Sequence, residues 1–312
     1  MSLRIALFGQ APVAVDCLDR LRADGHTIAG VFAPADTGRP DPLTQRAKEL
    51  GLPLFQRRYF QTREGKPIAA AVAEHRSLGA DLNVLASLTS FVPPAICDAP
   101  RHASICFHPS LLPRYRGGNA LQWQIILGER ETGVSIFVPD RGVDTGPIVV
   151  QRGGVEIGSR DTTASLFFEK LAPLGAEALA EAVREIDSGR ARPRGQDETL
   201  ATFQGLVDEA AAGIDLERPG AEIDRLVRGC DPQPGAWLRW KGAPLRLFGV
   251  ELDPTSGGPP GQVIDIDAKG IRIALRGATL RVSRVRGDGA KESAAEFARR
   301  VALKPGDVLE SA

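Results

Sequence analysis

Apolar and polar residues alternate in blocks along the first half of the chain. "LRIALF" (residues 3–8) is a β-prone apolar run, and "PVAVDCLDRLRADGH" then sets Val15, Leu18 and Leu21 at helical spacing before Gly25. "HTIAGVFAP" (26–34) predicts a second strand, "LTQRAKELG" (43–51) a short helix and "LPLF" (52–55) a third strand. "ADLNVLAS" (80–87) and "ASICF" (103–107) predict two more strands, and "GNALQWQIILGE" (118–129) a helix. Short apolar strands alternating with helices predict an α/β fold, a doubly wound and mostly parallel sheet. Beyond Asp144, "PIVVQRGGVEI" (147–157) predicts a hairpin-like strand pair. Residues 161–189 carry a long helical pattern, capped by Asp161 or Thr162 and kinked at Pro173.

The pattern then changes. "RARPRGQDETLATFQG" (190–205) is polar and rich in Arg, Pro and Gly in its first half, which predicts a linker. After a short helix and turn over 221–240 come four short alternating strands, "APLRLFGVEL", "GQVIDID", "GIRIALRG" and "TLRVSRVR". Gly-rich turns separate them, predicting a small β-barrel, OB-like, or an open β domain. The expected organisation is a catalytic domain over 1–189, a linker over 190–205 and the small β domain over 206–312. Trp123 is expected in a core, and Trp237 and Trp240 to pack the small domain.

Composition narrows the function. Lys plus Arg and Asp plus Glu number 39 each, so no overall basic field argues for a nucleic-acid partner. The N-terminal apolar run is too short for a leader or a membrane span. Cys17, Cys97, Cys106 and Cys230 are scattered, which speaks against a zinc site or a disulfide framework and fits a reducing, cytoplasmic setting. No G-x-G-x-x-G, G-x-x-x-x-G-K-S/T or G-x-S-x-G occurs, which removes dinucleotide, P-loop and serine-hydrolase readings as first choices. His26, His75 and His102 sit at turns or helix ends and are assigned no chemistry.

Sites in such sheets form beyond the carboxyl ends of strands. His108, in "FHPSLLPRYRGG" (107–118), directly follows a predicted strand, and Asp144 lies in the loop "VPDRGVDTG". The two could meet over one pocket, the carboxylate orienting the imidazole for proton transfer or oxyanion stabilisation. The glycines of that loop would let backbone approach a flat ligand. Equally, His108 could be a satisfied loop residue and Asp144 a turn former.

The words "HPSLLPRYRGG" and "GVDTGPIV", at this separation, resemble the signature of the folate-dependent formyltransferase family. That family includes glycinamide ribonucleotide formyltransferase, methionyl-tRNA formyltransferase and the hydrolase domain of 10-formyltetrahydrofolate dehydrogenase. The last is most similar, through residues 8–36, 79–117 and "GCDPQPGAW". The resemblance implies that His108 and Asp144 are a catalytic pair and that 10-formyltetrahydrofolate is the donor, with no metal. It places the pterin against Leu85, Ser87, Leu88 and Phe91 on one side and Val138, Asp140 and Val143 on the other. Arg116, more than Arg114, would face the acceptor. Most of the family carries Asn two residues before the catalytic His, where this chain has Cys106. A thiol is a weak donor, and loss of one such oxyanion donor costs roughly 3 kcal/mol of barrier. Cys106 could instead act as a nucleophile through a thioformyl intermediate, or simply end a buried strand. The implied reaction is formyl transfer to water or to a small amine. Methionyl-tRNA formylation and non-catalytic folate binding are the alternatives. The stretch after the second strand lacks the basic insertion of the tRNA enzymes.

Overall fold

The structure is a computed structural model that describes residues 2–36 and 38–312. The chain divides into two compact units. One holds the residues up to Gly117 together with Thr132–Val155 and Phe167–Phe203; the other holds Gly118–Glu131, Glu156–Leu166 and Gln204–Ala312.

The first unit begins with β1 (Arg4–Gly9), α1 (Val13–Ala23), β2 (Thr27–Ala33), α2 (Pro42–Glu49), β3 (Leu54–Gln56) and α3 (Ala69–Ser77). It continues with β4 (Leu82–Ala86), α4 (Pro94–Cys97) and β5 (Ser104–His108). The chain then enters the second unit for α5 (Ala120–Ile126) and returns for β6 (Glu131–Phe137) and β7 (Ile148–Glu156). After α6 (Thr163–Ser165), six residues of π-helix (Leu166–Leu171) lead into α7 (Ala172–Asp187).

The seven strands form one sheet in the order β3-β2-β1-β4-β5-β6-β7. The pairs β1–β2, β2–β3, β1–β4 and β4–β5 are parallel, and β5–β6 is antiparallel. Continuous burial along β1, β2 and β4 explains the unbroken apolar runs, since a parallel sheet is covered on both faces. Each fully buried Leu or Phe in them contributes about 1.5–3 kcal/mol over exposure.

One buried polar network interrupts this core. Asn83 Oδ1 in β4 accepts from His75 Nε2 (2.7 Å), and Asn83 Nδ2 donates to Ile96 O (2.9 Å) and Ser104 Oγ (3.0 Å). The network ties α3, α4 and β5 to β4. His75 Nδ1 is buried with no partner among the described residues, and desolvation pushes the ring's pKa below its ordinary 6.5.

Residues 148–156 make one strand instead of the expected hairpin. The close approach is at Gly133 in β6, where a Cβ would lie 2.1 Å from Arg152 O and 2.8 Å from Gly153 Cα. Thr162 caps the following helix in a reciprocal box with Ser165, and the irregularity expected at Pro173 takes the form of the π-helical stretch just before it.

The second unit carries α8 (Gly220–Gly229), β8 (Trp237–Trp240), β9 (Ala243–Asp253), β10 (Val263–Asp267), β11 (Gly270–Leu275), β12 (Ala278–Arg286), β13 (Glu292–Ser293) and α9 (Ala294–Val301). Its antiparallel sheet runs β10-β11-β12-β9-β8. The C-terminal residues stitch the two outer strands together. Leu309 N donates to Gly261 O (2.9 Å), Val263 N donates to Asp307 O (2.8 Å), and Arg239 and Glu310 exchange two backbone bonds of 2.9 and 3.0 Å. That closure gives the sheet its barrel-like form. Trp123 on α5, Trp237 and Trp240 all pack against this unit's core.

Candidate active site

Leu85, Cys106 and Phe137 lie in one row across β4, β5 and β6. The loop after β4 and the loop after β6 therefore leave the sheet from the two strands that flank β5, whose last residue is His108. The loop after His108 is fixed by buried hydroxyls. Ser135 Oγ donates to Ser110 O (2.7 Å) and accepts from Leu112 N (3.1 Å), while Gln151 Nε2 donates to Leu112 O and Ser135 Oγ (both 2.9 Å). Ser110 Oγ donates to Arg114 O (2.7 Å), closing the loop on itself. None of Ser110, Ser135 or Gln151 was legible as a site residue, because strand alternation gives them no special signature.

The structure brings His108 and Asp144 together. His108 Nδ1 is 3.4 Å from Asp144 Oδ2, with both side chains largely shielded from water. The other ring nitrogen, Nε2, is 2.8 Å from the Tyr115 carbonyl. Both nitrogens thus face acceptors. Asp144 Oδ2 also accepts from Gly117 N (2.8 Å), so one carboxylate oxygen joins the histidine to the far end of its own loop.

Asp144 has φ +55°, a left-handed conformation that costs a non-glycine residue on the order of 1–2 kcal/mol. The loop around it is strongly braced. Asp140 Oδ1 accepts from Gly142 N (3.0 Å) and Thr145 Oγ1 (2.6 Å), and Val138 N donates to Pro147 O (2.9 Å). A Cβ on Gly146 would lie 1.8 Å from Val138 O, and one on Gly142 would lie 2.0 Å from Thr145 Oγ1. The glycines therefore make room for the loop's own atoms.

The remaining expected residues divide. Ser87 (φ +60°) and half-buried Leu88 follow β4, and Phe91 is half exposed. Val138 is half-buried, while Asp140 and Val143 are exposed. Leu85 differs: its side chain is buried in the cluster around Phe8, Phe32 and Phe60, leaving only its backbone for a ligand. Cys106 is half-buried among apolar side chains, and its Sγ is 3.6 Å from Phe107 O. Burial first, and the Asp144 charge second, push its thiol far above the ordinary range. It stays protonated at neutral pH, so the nucleophilic reading is corrected.

Arg116 is also corrected. Its guanidinium donates to Glu198 Oε2 (2.8 Å) and Oε1 (2.7 Å) and to Gln196 Oε1 (3.2 and 2.9 Å). The side chain is buried, and this pairing holds the Glu198 carboxyl below its usual range. A guanidinium so engaged is an internal brace and not a hand for an acceptor. Its partners come from the stretch expected to be a linker, which here lies along the first unit. Arg194 pairs with Ile148 through two 2.8 Å backbone bonds, and Thr202 accepts from Arg116 N (2.9 Å) and, through Oγ1, from Tyr115 N (2.8 Å).

The first unit is thus an α/β fold, a doubly wound sheet with a His–Asp pair at the end of β5. The chain belongs to the formyl transferase family: residues 3–183 match its "Formyl transferase" model and residues 207–302 its "Formyl transferase, C-terminal domain" model. It is 38% identical over 265 residues to the mitochondrial 10-formyltetrahydrofolate dehydrogenase of Mus musculus, which covers 85% of this chain but only 28% of that protein's length. It is 36% identical over 309 residues to the methionyl-tRNA formyltransferase of Dinoroseobacter shibae, covering 96% of this chain and 98% of that one. Among solved structures, HypX from Aquifex aeolicus, crystallised in complex with tetrahydrofolic acid, superposes with a TM-score of 0.74 at 19% identity. That match covers 98% of this chain and 48% of HypX and speaks for the shared fold.

Proposed function

We propose that this chain takes the formyl group from 10-formyltetrahydrofolate and passes it to water or to a small amine, releasing tetrahydrofolate. The observation that carries the reading is the 3.4 Å pairing of His108 with Asp144 at the end of β5. Support comes from the 38% identity with a 10-formyltetrahydrofolate dehydrogenase, of which only the formyl-releasing chemistry is borrowed here. The folate ring lies against Ser87, Leu88 and Phe91 and against the loop carrying Val138, Asp140 and Val143, while Leu85 offers backbone alone.

The acceptor's lone pair adds to the formyl carbon, and the carbonyl oxygen becomes an oxyanion. The His108 Nε2–H turns from the Tyr115 carbonyl to that oxygen, while Asp144 stays on Nδ1 and compensates the ring's charge. The acceptor's proton passes to the pair. Collapse breaks the bond between the formyl carbon and N10, and the same proton goes to N10. Water yields formic acid, which ionises to formate and a solvent proton, an amine yields a formamide, and the pair returns to its starting state. Cys106 contributes a neutral wall where an amide donor would otherwise sit.

A second reading, methionyl-tRNA formylation, is favoured by the match over 98% of the Dinoroseobacter enzyme. The segment between β2 and α2, residues 34–41, speaks against it: it holds Arg39 against Asp36 and Asp41, a poor grip for a phosphate backbone. Tetrahydrofolate release should be followed with the protein alone, with a panel of amines and with methionyl-tRNA. Equal release under all conditions indicates hydrolysis. Acceleration by an amine indicates transfer, and acceleration by methionyl-tRNA alone would overturn the small-acceptor reading. Folate binding without turnover would indicate a binding module.

A further inference from the structure

Residues 184–206 lie outside both matched family regions, yet they reach the loop that carries Asp144. Gln196 there uses its whole amide. Oε1 accepts twice from Arg116, on the His108 loop, and Nε2 donates to Asp144 O (2.8 Å) and Gly146 O (2.7 Å). One side chain thus ties together the two loops whose tips form the His–Asp pair. The strap itself is pinned by Thr202 at Tyr115 and Arg116, and by Arg194 at Ile148. Phe203 closes over Gly117, the residue whose N–H holds Asp144 Oδ2: a Cβ on Gly117 would lie 2.4 Å from the Phe203 ring.

Asp144 sits in a left-handed conformation that its own sequence does not favour, and its carboxylate meets His108 at a long 3.4 Å. Such a pair is sensitive to small displacements of the turn. We infer that Gln196 is a positioning residue, which sets the distance between Asp144 and His108 by clamping the Asp144 turn to the Arg116 loop. Through Gln196, and not through Asp197, the strap then acts on the active site. This inference rests on the proposed formyl-releasing activity.

The test is steady-state tetrahydrofolate release by the full chain carrying Gln196→Ala or Gln196→Glu, with thermal unfolding measured alongside. Glu at 196 keeps the acceptor for Arg116 and removes both donors to the turn. The expected result in each folded variant is a kcat lower by about 10- to 100-fold, as for a misplacement of about 1 Å. KM for 10-formyltetrahydrofolate should change less than kcat, because Gln196 holds the turn at Asp144 and Gly146 and makes no bond to Val138, Asp140 or Val143, which face the folate. Asp197→Ala is the control: Asp197 caps only Thr199, through N (3.0 Å) and Oγ1 (2.7 Å), and should leave kcat unchanged. A wild-type kcat in either folded Gln196 variant, a change in KM alone, an equal loss in Asp197→Ala, or unfolding of both Gln196 variants would overturn the assignment. His108→Ala separates the two claims. If it is inactive while the Gln196 variants are normal, only the positioning role fails; if it turns over normally, the proposed function fails first.

Discussion

Asp144→Asn separates charge from geometry at the candidate site. Asparagine keeps an oxygen to accept from Gly117 N, now 2.8 Å away, and the same atom still faces His108 Nδ1 at 3.4 Å. Only the negative charge is removed. Opposite unit charges 3.4 Å apart attract by about 5 kcal/mol at an effective dielectric constant of about 20. Desolvation of two largely shielded groups offsets part of that, leaving about 2–3 kcal/mol, or about 100-fold in rate. The expectation is therefore a kcat about 100-fold lower, KM for 10-formyltetrahydrofolate within about twofold, and a stability loss under about 1 kcal/mol. Tetrahydrofolate release at saturating donor and chemical denaturation measure all three. A kcat within threefold of wild type in a folded variant would refute the claim that the carboxylate's charge assists His108. A large stability loss would mean that the charge is structural.

Cys106→Asn is expected to raise kcat for formyl transfer by supplying an oxyanion donor, at a stability cost of about 1–2 kcal/mol for a polar group among apolar neighbours; an unchanged or lower kcat would count against the missing-donor account. Buried His75 makes stability fall on acidification. Its folded pKa lies below the ordinary 6.5, so the unfolded chain takes up the proton first, and stability present above that value is lost as pH drops beneath it. Stability should fall more steeply between about pH 7.5 and 5.5 in the wild type than in His75→Gln; equal pH slopes in the two proteins would contradict it. Leu309→Ala removes a fully buried side chain from the segment that stitches β10 to β8, and should cost about 2–4 kcal/mol in denaturation. A cost below about 1 kcal/mol would show that the stitch contributes little.

Much of this was legible in the chain's pattern. Apolar runs bounded by Gly and Pro placed β1, β2, β4 and β5 because strands of a buried parallel sheet need no alternation. The position of His108 after one of them marked the site. What stayed hidden has a physical cause in each case. Gly153 and Gly154 looked like a turn, but they lie within one strand, and the close approach there makes its demand on Gly133 of the neighbouring strand. Arg116 looked like a ligand hand, because sequence shows its charge and not Glu198, 82 residues away. The strap over 194–203 read as a linker, because polar residues that bond to loops leave no hydrophobic period. Gln196, Glu198 and Thr202 were invisible for the same reason. Leu85 was expected at the pterin because it stands in the right stretch, but strand alternation turned its side chain into the core.

The most direct test of the central claim is a side-by-side reaction of wild type and His108→Ala with 10-formyltetrahydrofolate, following tetrahydrofolate formation and confirming that both proteins are folded. The account predicts steady release by wild type and a loss of at least about 1,000-fold in the variant, which removes the proton carrier and the oxyanion's partner together. Release by the variant at the wild-type rate, or none by wild type with any acceptor, would contradict it.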